Sequence, residues 1–526
     1  MGASNSRECK CEVRIEHSLN QKEEEFVARR RKAVLQSLKK LQIYVDWDEV
    51  PNIALLGSGG GERAMVGFLG SLDQLDKADL LDCILYLSGV SGSTWCMASL
   101  YQESDWSTKL ETVKDKIIQR LSGPGVNRTD AFAKLKKYYF ERDFVDLTDF
   151  WAVIVITTFV KEINEHTLTD QWNQQSKDPF PIYTVIDKQS KHHNEGLYVF
   201  LSADPWFEIS PYEAGYSLTG AFVETSSFGS KFENGCKIKD QPEIDMLYLQ
   251  ALCSSALSDE EEIWEHRKEI SGFKPELDIL STAATHLKNI YGVYSKFIPH
   301  WFPLQFLLRL LSLPLKKGGV SNMISGLLSG TLRDMFPLLA LTTSSESDPN
   351  QWIWGTNYNF LHNMKDERVP LALQEKETRD YIDAGLLLNS PYFSVLRKER
   401  NIDLIISLDF SDGDPFMTVK EAAEMCKKRN IPFPEVNIPE EDVKKPMDFY
   451  VFKGQNTPTV IHIPLFNMIN CGDDIETWRK KYKTFQGPYS AEMITDLMEV
   501  AGKNITNNKN RLLEEIRVVT ETKMYH

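Results

Sequence analysis

From about residue 52 the chain alternates short apolar runs with stretches in which apolar residues recur every three or four positions. NIALL (52–56) precedes a glycine-rich bend and a helical stretch, and ILYL (84–87) precedes a second tight bend and another helix. Strand-type and helix-type periods taking turns in this way predict an α/β core around a mostly parallel sheet. Further strands are expected at LYVFLSA (197–203), DLIISLDF (403–410) and TVIHIPLF (459–466). Upstream, Val27, Val34, Leu35, Leu38 and Leu41 share helical spacing across 21–43, with Arg29, Arg30, Arg31, Lys32, Lys39 and Lys40 between them. The spacing predicts an amphipathic helix with a basic polar face, either solvated while the helix packs on the domain or helping the N-terminus find anionic lipid.

Two apolar stretches interrupt the pattern. WAVIVITTFV (151–160) is short enough for a buried element, and FIPHWFPLQFLLRLLSLPL (297–315) is broken by three prolines, His300, Gln305 and Arg309. Neither has the roughly 18 uninterrupted apolar residues of a membrane-spanning helix. The wider region 285–345 combines Trp301, Phe302, Phe306 and many leucines with Pro and Gly punctuation. It is read either as a core insertion or as an apolar lid facing acyl chains or bilayer.

With 42% hydrophobic and 26% charged residues among 526, the chain is an ordinary folded protein, neither disordered nor fibrous. Sixty Lys and Arg against 75 Asp and Glu give a net charge of −15, a surface that repels nucleic-acid phosphates, so attraction to a membrane has to be local. Eight cysteines are too sparse for a disulfide scaffold, and reduced thiols are expected. The opening residues lack the apolar stretch of a secretory signal, which places the chain inside the cell and makes the sequons at Asn127 and Asn504 chance matches. They do match M-G-x-x-x-[ST]: Gly2 is a candidate for myristoylation, and Cys9 and Cys11 for palmitoylation, two signals being what stable anchoring takes.

Two bends carry the candidate chemistry. In LLGSGGGERA (55–64), between strand and helix, glycines let several backbone N–H groups converge on an anion. A dinucleotide fingerprint would need glycine where Glu62 stands, and no G-K-[ST] follows, so a nucleotide is not expected. In LSGVSGSTW (87–95), Ser91 sits in G-x-S-x-S directly after a strand, the chemistry of a nucleophile elbow with Ser93 in place of the last glycine. Two groups compete as its base. His462 lies in a strand candidate, and Asp383 in YIDAGLLLNSPY (381–392) ends an apolar lead-in at a small-residue turn. A carboxylate serves as base when it reaches the hydroxyl and partial desolvation raises its basicity.

Taken together, GSGGGERA, GVSGSTW and the DAG turn resemble the catalytic core of the cytosolic (group IV) phospholipase A2 family, related in fold to patatin-type lipid acyl hydrolases. WFEISPYEAG (206–215), FGSKFENG (228–235), WIWGTNYNFLHN (352–363), SLDFSDGDPF (407–416) and HIPLFN (462–467) extend the resemblance in order over most of the chain. It implies a three-layer α/β/α core with a central, mostly parallel sheet, a catalytic domain over 46–526 and an N-terminal segment over 1–45. It implies Ser91 as nucleophile, Asp383 as its base in a dyad without histidine, Gly60 and Gly61 as oxyanion hole, and Arg63 as the arginine associated with the substrate phosphate. No cofactor is implied. The expected activity is hydrolysis of fatty-acyl esters of glycerophospholipids and lysophospholipids at a phospholipid membrane surface, in the cytoplasm and peripherally on intracellular membranes. The alternatives are acyl transfer to a lysophospholipid or alcohol and, from another class, a catalytically silent membrane-docking protein.

Three departures qualify the resemblance. Only about fifty residues precede the core, too few for the calcium- and lipid-binding β-sandwich of other members, so calcium independence is expected. The C-terminus ETKMYH has no C-a-a-X box, leaving permanent attachment to the other end. Glu62 stands where the family tends to have an apolar or aromatic residue.

Overall fold

Strands buried on both faces dominate the centre of the protein, as the near-continuous Val, Ile and Leu runs require. A computed structural model describes residues 11–191, 204–256, 258, 353–484 and 488–524. The strand expected at 197–203, the region 285–345, and the lipidation candidates Gly2 and Cys9 lie outside the described residues. Cys11 is exposed with a free thiol.

The described strands are β1 (Arg14–Ile15), β2 (Ile53–Gly57), β3 (Tyr86–Gly89), β4 (Phe180–Asp187), β5 (Trp206–Ile209), β6 (Glu213–Tyr216), β7 (Ala221–Glu224), β8 (Lys231–Glu233), β9 (Cys236–Lys239), β10 (Thr356–Tyr358), β11 (Thr378–Asp383), β12 (Leu404–Asp409), β13 (Tyr450–Phe452) and β14 (Thr459–Pro464). All but the β8–β9 hairpin join one sheet in the order β1-β7-β6-β5-β4-β3-β2-β12-β14-β13, with β11 also on β4 and β10 on β11. The five central strands, β4, β3, β2, β12 and β14, run parallel. Outside them the sheet continues antiparallel through β5, β6 and β7 and closes with β13. Strand β4, FPIYTVID, escapes the sequence reading because the prolines around Phe180 read as a turn.

The pairing along β4 positions the site. β3 and β5 both pair with Tyr183, so they occupy opposite edges of β4. β5 and β11 both pair with Val185 and Ile186, so they too are on opposite edges. β3 and β11 therefore share one edge and run toward each other. β3 ends with Gly89 opposite Tyr183 and β11 ends with Asp383 opposite Val185, two β4 residues or about 7 Å further along.

Helix α1 (Gln21–Lys40) is the amphipathic helix the spacing predicts, capped by Asn20, whose side chain accepts the Lys22 N–H. Its basic residues do not all face solvent. Arg30 is buried, donating to the carbonyls of Ile84 and Leu81 at 2.9 and 3.3 Å, because Phe26, Val34 and Leu38 carry that side of the helix into the core. Glu23 is buried too, 2.9 Å from Arg400, which also meets Glu208 at 2.7 Å.

Helices α2 (Glu62–Lys77) and α3 (Gly92–Leu100) follow β2 and β3. The C-terminal helix Ala491–Met524 lies so close to α2 that a Cβ on Gly70 would fall 2.6 Å from the Met498 carbonyl. Residues 147–160 form short helical pieces with a π turn at Ala152–Ile156, a largely buried element as expected. Among the described residues no helix is long and apolar enough to cross a membrane. The expectation of reduced thiols holds for Cys11, Cys83, Cys96, Cys253, Cys426 and Cys471 and fails at Cys236, which is disulfide-bonded.

Candidate active site

The glycine bend is built for close approach. Gly61, the cap of α2, has φ +58°, and Gly60 has φ +149° with no room for a Cβ, which would fall 2.7 Å from the Phe410 carbonyl. Ser58 braces the bend: its Oγ donates to Asp409 Oδ1 at 3.2 Å and accepts the Phe410 N–H at 2.7 Å. The Gly59 N–H donates to the Asn389 carbonyl at 3.0 Å. Among the described residues, no acceptor engages the N–H of Gly60 or Gly61. Two amides beside the positive end of α2 are suited to a developing negative charge.

Ser91 caps α3 with φ +50° and ψ −120°, a conformation that costs a non-glycine residue about 1–3 kcal/mol. It is 8% exposed, at the carboxyl end of β3. The two bends interlock, since a Cβ on Gly92 would sit 1.9 Å from the Gly61 carbonyl oxygen. Ser93 ties them further, donating to the Ser58 carbonyl at 2.6 Å. Serine in place of glycine at that position thus has a structural use that the motif alone does not reveal.

Asp383 ends β11 and starts a 3-10 turn, its Oδ1 accepting the Gly385 N–H at 2.8 Å. It is buried, and its own N–H donates to Ser255 Oγ at 3.1 Å. The turn touches both other bends. A Cβ on Gly385 would lie 2.8 Å from Asn389 Oδ1 and 3.6 Å from a methyl of Val90, the neighbour of Ser91. A Cβ on Gly59 would lie 2.3 Å from that same Asn389 oxygen and 3.0 Å from the Ser91 Cβ. The structure therefore brings Gly60, Gly61, Ser91 and Asp383 to one junction, where β3 and β11 meet end to end.

His462, the competing base, is elsewhere. It pairs with Ser407 in the register of β12 and β14, with β2 and β12 between its strand and β3. Its Nε2 lies 2.6 Å from the Pro415 carbonyl and 3.7 Å from Asp409, and burial holds its pKa below the ordinary histidine value. It is a buried core residue held through Nε2, and its Nδ1 has no hydrogen-bond partner among the described residues.

Arg63 is buried beneath the glycine bend with its donors directed at the protein. Nε donates to the Phe410 carbonyl at 2.8 Å, Nη1 to the Tyr482 carbonyl at 2.6 Å and Nη2 to Thr484 Oγ1 at 3.1 Å, while Asp412 lies 3.5 Å from Nη1. Glu62 is buried as well. Its Oε2 accepts the Tyr489 N–H at 2.9 Å, its Oε1 has no partner, and desolvation pushes its pKa up to about 8. The sequence reading missed Asn389, Ser255 and Ser58. Asn389 stood in the LLLNSPY lead-out of the DAG turn, but nothing local distinguished it.

A serine held at a strained strand-to-helix elbow against an amide-lined bend is the arrangement of α/β ester hydrolases. Residues 53–260 match the lysophospholipase catalytic domain family. Cytosolic phospholipase A2 gamma of Mus musculus is 33% identical over 95% of this chain and 91% of its own, and that of Homo sapiens 32% identical over 96% of each. The structure of human GIVD cytosolic phospholipase A2 superposes with a TM-score of 0.73 over 98% of this chain and 66% of its own, at 22% identity, a likeness of fold. The chain belongs to the cytosolic phospholipase A2 family.

Proposed function

We propose that this chain is a calcium-independent phospholipase that hydrolyses fatty-acyl esters of glycerophospholipids and lysophospholipids through a Ser91–Asp383 dyad. The observation that carries the reading is the end-to-end meeting of β3 and β11 on one edge of β4, beside the glycine bend. Asp383 takes the Ser91 proton as Oγ bonds to the ester carbonyl carbon. The tetrahedral oxyanion accepts from the Gly60 and Gly61 N–H groups, each such donor being worth roughly 3–4 kcal/mol. On collapse the carbon–oxygen bond to the glycerol breaks, and Asp383 returns the proton to that oxygen. Water, deprotonated by Asp383, then attacks the acyl-serine, releasing fatty acid and restoring Ser91. Arg63 supports the bend from behind, which suits a positioning role as well as an electrostatic pull on the substrate phosphate.

The substrate reaches this chemistry at a phospholipid surface, in the cytoplasm and peripherally on intracellular membranes. Fatty-acid release from phosphatidylcholine vesicles, with and without a calcium chelator, tests the reading. Ser91→Ala and Asp383→Asn are expected to abolish release while leaving folding intact. Full activity in either variant refutes the dyad, and loss of activity with chelator refutes calcium independence. Added lysophospholipid reveals acyl transfer as new diacyl product. Failure of the wild-type protein to label with a fluorophosphonate would favour a silent docking protein.

A further inference from the structure

Asn389 fills the gap between the glycine bend and the DAG turn, and the dyad gives it no task. Its main-chain carbonyl accepts the Gly59 N–H at 3.0 Å, while its Nδ2 donates to the Gly59 carbonyl at 3.3 Å and to Ser411 Oγ at 2.8 Å. Gly59 is thus held by both of its backbone polar groups. The side-chain oxygen occupies space that only glycine leaves open, 2.3 Å from a Cβ position on Gly59 and 2.8 Å from one on Gly385. Any other residue at 59 or 385 would collide with it.

The consequence lies in the geometry of one peptide. The Gly59 carbonyl and the Gly60 N–H belong to the same planar unit, and in a trans peptide they point in opposite directions. No cis peptide interrupts the described chain. Fixing the carbonyl on Asn389 Nδ2 fixes the direction of the Gly60 N–H. A glycine released from that hold has a wide choice of backbone angles and can turn the amide away.

We propose that Asn389 is the positioning residue of the oxyanion hole, holding the Gly59–Gly60 peptide so that the Gly60 N–H meets the oxyanion, and keeping the Asp383 turn in register with it. The inference rests on the Ser91–Asp383 hydrolase reading. It differs from a general packing role in being specific to the tetrahedral state: ground-state binding does not need the amide's direction, whereas an oxyanion does.

The test compares wild type, Asn389→Asp, which is nearly isosteric but lacks the Nδ2 donor, and Asn389→Ala. Rates on phosphatidylcholine in mixed micelles are expressed per active site titrated to completion with a fluorophosphonate, so misfolded protein is not counted. A long-chain trifluoromethyl ketone, which adds to the serine as an oxyanion, serves as the tetrahedral probe. Both variants are expected to lose about 10- to 100-fold in kcat with KM within about twofold, and to bind the ketone more weakly by a similar factor. In Asn389→Asp the acid limb of the pH profile moves to higher pH, because a second carboxylate then stands near the Gly385 position that Asp383 Oδ1 also approaches. Wild-type kcat and ketone affinity in Asn389→Asp, or a loss confined to KM, overturn the inference while leaving the dyad standing. If wild type shows no Ser91-dependent hydrolysis, both readings fall.

Discussion

Replacing Glu62 with glutamine should remove that residue's share of the pH dependence of stability across the neutral range. The residue is 1% exposed, one carboxyl oxygen has no partner, and burial raises its pKa from 4.5 to about 8 against opposing contributions from the Tyr489 N–H and Lys161. A carboxyl whose folded pKa is raised stabilises the fold fully below its unfolded value and loses that contribution as pH rises through its folded value. Here the window runs from 4.5 to about 8. At about 1.4 kcal/mol per pH unit, wild type falls behind the permanently neutral Gln variant by about 5 kcal/mol at the upper end. For a chain of this length that is a Tm difference of about 4–5 °C, growing from under about 1 °C at pH 5. Thermal unfolding of both proteins at pH 5, 6, 7, 8 and 9 measures it. Parallel curves would refute the reasoning, since they would mean that Glu62 is already ionised in the folded protein or reached by water. Because Glu62 directly follows Gly61, its ionisation also places a negative charge beside the proposed oxyanion, and kcat should fall above pH 8 in wild type but not in Glu62→Gln.

Ser91→Gly should raise stability by about 1 kcal/mol by relieving the φ +50° conformation, while eliminating hydrolysis; a Tm below wild type would show that the elbow is not strained. His462→Gln should keep hydrolysis within about tenfold of wild type, since the imidazole sits on β14 against the Pro415 carbonyl; inactivity in the folded variant would reopen the histidine as base. Arg400→Met leaves Glu23 and Glu208 buried without their shared partner, which should cost about 3–5 kcal/mol. Limited proteolysis should then cut within α1 first, and an unchanged cleavage pattern would count against this network as the anchor of that helix.

The sequence alone made the bends legible. Glycines at 59, 60 and 61 and small residues around Ser91 announce backbone angles and close approaches that few other residues tolerate, and these are local properties. Strand and helix periods placed β2, β3, β12 and β14 and the helix α1 for the same reason. What the sequence could not show is which groups a fold turns inward. Arg30 reads as one more basic residue on a helix, yet it caps carbonyls in the core, and Arg63 is directed at the loops behind the bend. The basicity of His462 against Asp383 was equally undecided by pattern, because each sits in a well-formed local element. Only the pairing of β3 and β11 on the same edge of β4 separates them, putting one carboxylate beside Ser91 and the imidazole two strands beyond β2. Local chemistry fixes what each turn can be; the register between strands hundreds of residues apart decides which turns meet, because pairing energy is shared along whole strands and leaves no mark on any single residue.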